Sequence, residues 1–325
     1  MREPATFDAE FRPRFCLTVD TEESFDWDGP FSRVDHHCRA VPALAKGQAF
    51  FAAAHVVPTY FMDYPVATNA ACRDALGSAF ADGAAEAGTH LHPWVTPPYA
   101  EAINPANSYA GNLPAHIEAE KLAVTTNAIA ENLGITPKVY RAGRYGIGPN
   151  SHKILRDAGY VVDSSIRPLF DYRDQGGPDF SHEACAPWWT DPEQQLLEVP
   201  LTTCYLGWGA KRWGADLYPA LAKRPLAMSL AARSRMLSRI PLTPEGTPAR
   251  LACAAIDQAL AEKLPVLLLS FHSPSLAIGG SPYVRDADDL KQFYRWLDTV
   301  FNHMAKRGVR SSHLGEIYQM ARQST

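Results

Sequence analysis

The sequence predicts an α/β fold with a parallel sheet, on three observations. Short apolar runs alternate with stretches of helical spacing along the chain. Several of those runs end in a polar or charged residue, namely Asp20, His92, Arg141, Asp163 and His272. The chain has 325 residues, 46% of them hydrophobic, enough to bury a sizeable core without disulfides or structural metals. Strands separated by helices pair in parallel, because each crossover returns the chain to the same end of the sheet. In a parallel α/β barrel the strand C-termini converge on one face, where reacting groups gather. The polar strand ends therefore point to an enzyme, and this pattern alone fits a closed barrel or an open sheet equally.

The elements follow in order. Residues 15–19 form a first strand ending at Asp20, residues 42–55 have helical spacing, and 58–61 is a second strand. A helix is predicted over 72–84 and a strand over 86–92. Residues 115–133 read as a long helix ending at Gly134, 138–142 as a strand, and 151–158 as a helix closed by Gly159. Further strands are predicted at 160–164 and 196–200. Residues 265–271 are the most apolar strand, 286–305 a long helix, and 308–313 a last strand. No internal repeat or low-complexity linker divides the chain, so one domain over residues 1–325 is expected.

Composition excludes several classes. The net charge of −4, from 31 basic and 35 acidic side chains, lacks the basic excess of a nucleic-acid binder. The six cysteines are scattered and form no C-x-x-C pair, which argues against zinc ribbons and redox motifs and for free thiols in a reducing compartment. Met1 to Arg14 carries mixed charges and no apolar run, unlike a secretory signal. No segment approaches the roughly 18 apolar residues of a membrane span. A soluble, cytoplasmic protein that is not integral to a membrane is expected.

Five short constellations carry chemistry. In Leu17-Thr18-Val19-Asp20-Thr21-Glu22-Glu23, Asp20 and Glu22 lie two apart at a strand end, so both project to one side as base and metal ligand; an acidic helix start is the alternative. In Gly88-Thr89-His90-Leu91-His92-Pro93-Trp94, His90 and His92 share a strand face, so two imidazoles can reach one ion. Tyr140-Arg141-Ala142-Gly143-Arg144-Tyr145-Gly146 offers Arg141 as a partner for a carboxylate, with glycines for sharp turns, or else only a strand-to-helix loop. Asp163 ends another strand. In Leu267 to Pro274, an apolar run delivers His272 to a proline-fixed turn, where it can protonate a leaving amine or simply cap the strand.

Together these pieces resemble the polysaccharide deacetylase family, the NodB-like group also called carbohydrate esterase family 4, and within it the WalW-like bacterial branch. The resemblance spans roughly residues 15–315. Thr18-Val19-Asp20-Thr21-Glu22 is similar to the family's T-F-D-D-G motif in a D-x-D/E form, with Thr21 where a second Asp is usual. His90-x-His92 followed by Pro93 stands for the longer H-x-x-x-H. Arg141 falls at the Arg of the third motif, Asp163 in the region after it without the usual aspartate–tryptophan signature, and His272 at the last motif. The resemblance implies a TIM-like distorted (β/α)7 barrel. It implies a divalent ion on Glu22, His90 and His92, most simply zinc, with cobalt, nickel or iron compatible with the same donors. It makes Asp20 the base, held ionised by Arg141, and His272 the acid. Trp94, Arg144, Tyr145 and Asp163 are expected to contact the substrate, an N-acetylated amino sugar or polysaccharide. Two other readings stand beside this one: hydrolysis of another C–N bond, such as a ureide or cyclic amide, and a carbohydrate-binding relative that has lost turnover.

Residues 205–250 are expected to form a helical insertion over the mouth of the site. From Leu217 to Thr243 there is no acid, while Lys223, Arg224, Arg233, Arg235 and Arg239 are present. On a helix starting near Leu226, the residues Leu226, Leu230, Leu237 and Ile240 share a face, and Arg235 and Arg239 lie opposite. Trp208 and Trp213 precede it and could stack on a sugar ring. The segment reads either as a helix packed on the barrel with solvated arginines, or as a docking patch for an anionic carrier or membrane surface.

Overall fold

The computed structural model describes residues 3–27, 29–34 and 36–323. In chain order its strands are β1 (Glu3–Pro4), β2 (Arg14–Thr21), β3 (Pro58–Met62), β4 (Glu86–Leu91), β5 (Val139–Ala142), β6 (Val162–Asp163), β7 (Trp188–Trp189), β8 (Leu197–Glu198), β9 (Thr203–Leu206), β10 (Ser238–Pro241), β11 (Val266–His272) and β12 (Arg310–Ser311). The helices are α1 (Ala43–Ala53), α2 (Tyr64–Ala67), α3 (Ala70–Ala81), α4 (Ala115–Leu133), α5 (Ser151–Asp157), α6 (Ala210–Ala222), α7 (Pro225–Arg233), α8 (Ala249–Ala261), α9 (Ala287–Lys306) and α10 (Leu314–Gln323). Among the described residues, no helix is long and apolar enough to cross a membrane.

The strands β8-β6-β5-β4-β3-β2-β11 lie side by side in that order, and each neighbouring pair is parallel. β1 and β7 add an antiparallel edge beyond β8. The circle closes through the segment after β8 rather than through a ladder. Leu201 N–H donates to Ile166 O at 2.9 Å, Thr202 N–H to Leu268 O at 3.2 Å, and Leu268 N–H to Thr202 Oγ1 at 2.8 Å. The fold is a distorted (β/α)7 barrel, as expected.

Strand alternation sorts the core into an inside and an outside. Cys16, Phe61, Val139, Val162, Leu197, Val266 and Leu268 pack with Leu314, Ile317 and Ala321 of α10, which plugs one end of the barrel. Their strand neighbours Leu17, Val19, Tyr60, Met62, Leu267 and Leu269 pack instead with Leu44, Leu76, Ile256, Leu297 and Val300 of the surrounding helices. Glu86, at the start of β4, ties the plug down: it accepts N–H bonds from Leu314 at 3.0 Å and Gly315 at 2.8 Å, and a hydroxyl bond from Thr59 at 2.7 Å.

The 205–250 segment departs from expectation. It is an antiparallel pair, β9 with β10, spanned by α6 and α7. The helix predicted to run from Leu226 through Ile240 stops at Arg233. Arg235 then takes a left-handed φ of 55°, which a helix cannot continue through. Leu237 is buried and Ile240 is buried on β10, whereas Leu226 (84% exposed) and Leu230 (66%) face out, so the four do not share a face. Arg239 is not solvated: its guanidinium lies 3.5 Å from the Phe170 ring centre and 4.8 Å from that of Tyr218, and it donates to Leu169 O at 2.8 Å. Trp208 is exposed, and the Trp213 side chain lies outside the described residues.

Candidate active site

The inward row of β2 continues past its apolar part as Thr18 and Asp20, with Glu22 just beyond the strand. On β4 the same row runs Glu86, Gly88, His90 and then His92, and β5 contributes Arg141 and β11 contributes Ser270 and His272. Parallel pairing sets Asp20 beside His272 and His90 beside Arg141. All of these residues but Glu86 and His272 are fully or almost fully buried.

Glu22 Oε2 lies 3.7 Å from His90 Nε2 and 3.4 Å from His92 Nε2. The opposite ring nitrogens are committed: His90 Nδ1 meets the Arg141 carbonyl at 3.0 Å, and His92 Nδ1 meets Glu23 Oε2 at 2.9 Å. A carbonyl can only accept, so Nδ1 of His90 carries the proton and its Nε2 presents a lone pair. Burial pushes His92 down to about 4 and lowers His90 as well, which keeps both rings neutral. Two lone pairs thus converge on a carboxylate oxygen, a donor set suited to a cation between its members. Ligands on a tetrahedral zinc at about 2.0–2.1 Å stand roughly 3.4 Å apart, close to the separations here. The residues present fit a divalent metal, and the Glu23–His92 contact supplies the carboxylate that orients such a histidine.

Glu23 is itself held. Its Oε1 accepts from Trp94 Nε1 at 3.1 Å, and its backbone N–H donates to Asp63 Oδ2 at 2.7 Å. Burial raises the Glu22, Glu23 and Asp63 carboxyls. Trp94 also stacks on His92, with ring centres 4.2 Å apart.

Arg141 is the largest fully buried side chain. Its Nη1 donates to Asp20 Oδ1 at 2.5 Å, Thr18 Oγ1 at 2.9 Å and Ser270 Oγ at 2.9 Å, and its Nε and Nη2 donate to the carbonyl and hydroxyl of Ser164 at 2.8 and 3.0 Å. Burial works to raise the Asp20 carboxyl, but Arg141, helped by His272, outweighs it and leaves Asp20 below its usual value. His272 Nε2 approaches Asp20 Oδ2 at 3.8 Å, while Nδ1 and the backbone N–H of His272 engage Glu245 at 2.7 and 3.1 Å. Burial lowers His272, but Glu245 and Glu22 together push it up to about 10, so the ring is charged.

These groups line a cavity of about 210 Å³, walled by Phe25, Trp27, Phe31 and Trp94 and closed by Arg144 and Tyr145. That volume takes a small acyl group, not a whole sugar chain. Among the described residues, none of the 205–250 segment lines this cavity directly, although Glu245 within it reaches His272 from behind. The β5 turn fits the cavity through a glycine: a Cβ on Gly143 would stand 2.3 Å from His92 Cδ2 and 2.6 Å from Leu91 O. The left-handed residues of that turn are not glycines but Arg144 (φ 53°) and Tyr145 (φ 61°), an uncommon and strained pair. Arg144 bonds Ser108 and Gln175 and lies 4.2 Å from the Tyr109 ring centre, at the rim.

Nine of the ten residues singled out from the sequence therefore meet at one cavity or in contact with it. Asp163 does not. Its neighbours Val162 and Ser164 face the barrel interior, and Asp163 faces outward beneath α5, where it meets His152 rather than the cavity. Sequence reading missed Glu245, which no motif marks. It missed the work of Glu23 and Asp63, and it passed over the aromatic loop at 25–31, whose position directly after the first motif was the available signal.

No protein-family model matches the chain, and no curated protein matches it significantly. Solved structures do. A protein from Mycobacterium smegmatis assigned as a polysaccharide deacetylase is 15% identical, with a TM-score of 0.54 over 100% of this chain and 96% of that one. Another so assigned, from Pseudomonas aeruginosa PAO1, is 14% identical, with a TM-score of 0.53 over 96% and 92%. At such identities the likeness is one of fold. The molecule is an α/β barrel with a carboxylate–histidine cluster at its mouth, and that barrel has the NodB-like polysaccharide deacetylase fold.

Proposed function

We propose that this chain is a metal-dependent hydrolase that removes N-acetyl groups from an amino sugar or polysaccharide, in bacterial polysaccharide biosynthesis. One observation carries the reading: Glu22 and the Nε2 atoms of His90 and His92 converge beside an ionised Asp20 and a charged His272, across one small cavity. A divalent ion there, most simply zinc, would supply Lewis-acid polarisation of the amide carbonyl and a more acidic water. Asp20, kept ionised by Arg141, takes a proton from the attacking water as the new C–O bond forms. His272, kept charged by Glu245, gives its proton to the amine nitrogen as the C–N bond breaks, leaving acetate and a free amino sugar. The aromatic wall excludes water, and Trp94, Arg144 and Tyr145 frame the substrate. The whole chain acts as one catalytic domain, with the β9–β10 excursion attached outside the mouth. The free cysteines suit a cytoplasmic setting.

The test is acetate release from a panel of N-acetylated glycans, beside small ureides, by protein loaded with zinc. Asp20→Asn and His272→Ala should each lower turnover by about 10²–10⁴ with metal content retained. His90→Ala/His92→Ala should lose the metal while the fold persists. Wild-type turnover in either single variant, or activity only on ureides, would overturn the assignment.

A further inference from the structure

We propose that His152, Asp163 and Glu198 form a second divalent-metal site, on the outer side of the barrel, that ties α5 to β6 and β8. Asp163 and Glu198 are register partners on adjacent parallel strands, and both face outward. Their carboxylates are fully buried. One oxygen of each is committed: Asp163 Oδ1 to the Ser165 hydroxyl, and Glu198 Oε1 to the Ile166 N–H at 3.1 Å. The other two, Asp163 Oδ2 and Glu198 Oε2, have no hydrogen-bond partner, and neither does His152 Nε2. His152 Nε2 stands 3.2 Å from the first and 4.0 Å from the second, and the three atoms all lie within 4.8 Å of one another.

Two adjacent carboxylates buried without a compensating charge are costly, because each disfavours ionisation of the other. Among the described residues, the ion pairs of Asp163 and Glu198 are with His152 alone. Burial and Asp163 together hold the Glu198 carboxyl well above its usual range. Glu118, bonded by the Ser151 hydroxyl beside His152, adds a third acid and is raised to about 7 by burial. A cation among the three unpartnered atoms satisfies all of them at once. One imidazole and two carboxylates suit zinc or manganese rather than a soft ion. His152 is a quarter exposed, which leaves an entry path on the α5 side. The site is structural in character: it lies on the opposite side of the sheet from the cavity and joins α5 to the adjacent parallel strands β6 and β8.

This inference does not rest on the proposed reaction. The experiment uses the full chain carrying His90→Ala/His92→Ala, dialysed against zinc chloride and assayed by elemental analysis. One zinc per chain should remain, and adding His152→Ala should remove it with an unchanged circular dichroism spectrum. Saturating zinc should raise Tm by roughly 5 °C before that substitution and not after it. Glu198→Gln, which keeps the shape, should also abolish zinc binding while making the metal-free protein more stable. Absence of zinc from the double variant, or zinc retained after His152→Ala or Glu198→Gln, would overturn the proposal in favour of a proton shared between the two acids. If the double variant instead holds two ions, the front site has failed, and His152→Ala in the wild-type chain still reads the second site by itself.

Discussion

Gly143 decides where His92 can stand. Its hydrogen occupies the space a methyl group would contest with the imidazole, so Gly143→Ala must push the ring or the turn aside. Overpacking of this kind costs about 1–3 kcal/mol. The variant should unfold at lower urea and hold less metal at the front site, both read on the same preparation; full metal content would show that the ring does not depend on this glycine. Arg141 is the complementary case, a buried charge whose partners are all present. Arg141→Met leaves Asp20 buried without its counter-charge, and breaking such a pair costs about 3–5 kcal/mol. Asp20→Asn in the same chain should recover part of that loss, because the orphaned charge is gone. A strictly additive double-mutant cycle would contradict the coupling.

Glu86 works between elements. Its carboxylate joins β3, through Thr59, to the first turn of α10 and to His313, whose Nδ1 lies 2.9 Å away. Burial lowers the His313 pKa, but Glu86 and Glu316 outweigh it and leave the folded value raised. A raised histidine contributes stability that is fully present below its unfolded pKa of about 6.5 and is lost as pH rises through the folded value. Glu86→Gln should bring the His313 titration down in NMR and flatten that part of the stability profile. Glu86→Ala, which frees the N-terminus of the helix that plugs the barrel, should cost on the order of 3 kcal/mol in urea unfolding. An unmoved His313 titration in Glu86→Gln would remove Glu86 from this role. The β9–β10 pair illustrates the same scale: Arg239, packed between Phe170 and Tyr218, sets its charge against aromatic rings and the Leu169 carbonyl.

The barrel as a whole closes through individual hydrogen bonds. Thr202, almost fully buried, accepts the Leu268 N–H with its hydroxyl where a strand ladder would otherwise do so. Thr202→Val keeps the volume and deletes that acceptor, leaving a buried N–H without a partner. The expected cost is about 1–3 kcal/mol, with faster hydrogen exchange at Leu268 than at the laddered amides of β2. Equal protection at both places would mean that closure rests on packing alone.

Alternation and spacing made much of this legible in advance. The 19-residue α4 ends at the predicted glycine, the strand order of types was readable, and residues two apart on one strand had to share a face. Asp20 with Glu22, and His90 with His92, could therefore be grouped without coordinates. The face that Asp163 takes could not, because its two-residue strand gives no period to count and its register with Glu198 is set by pairing. Glu245 was equally hidden, since it reaches His272 from a loop 27 residues away. The helix read through Leu226 to Ile240 failed because a left-handed residue and cross-strand pairing with β9 overrode an apolar spacing that, over so short a stretch, fits helix and strand alike. The sequence by itself determined the parallel α/β class and which strand-end side chains could be grouped on one face, because both follow from local periodicity. Only the tertiary structure decided which buried charges face one another, because that depends on strand register and loop approach, which no local pattern encodes.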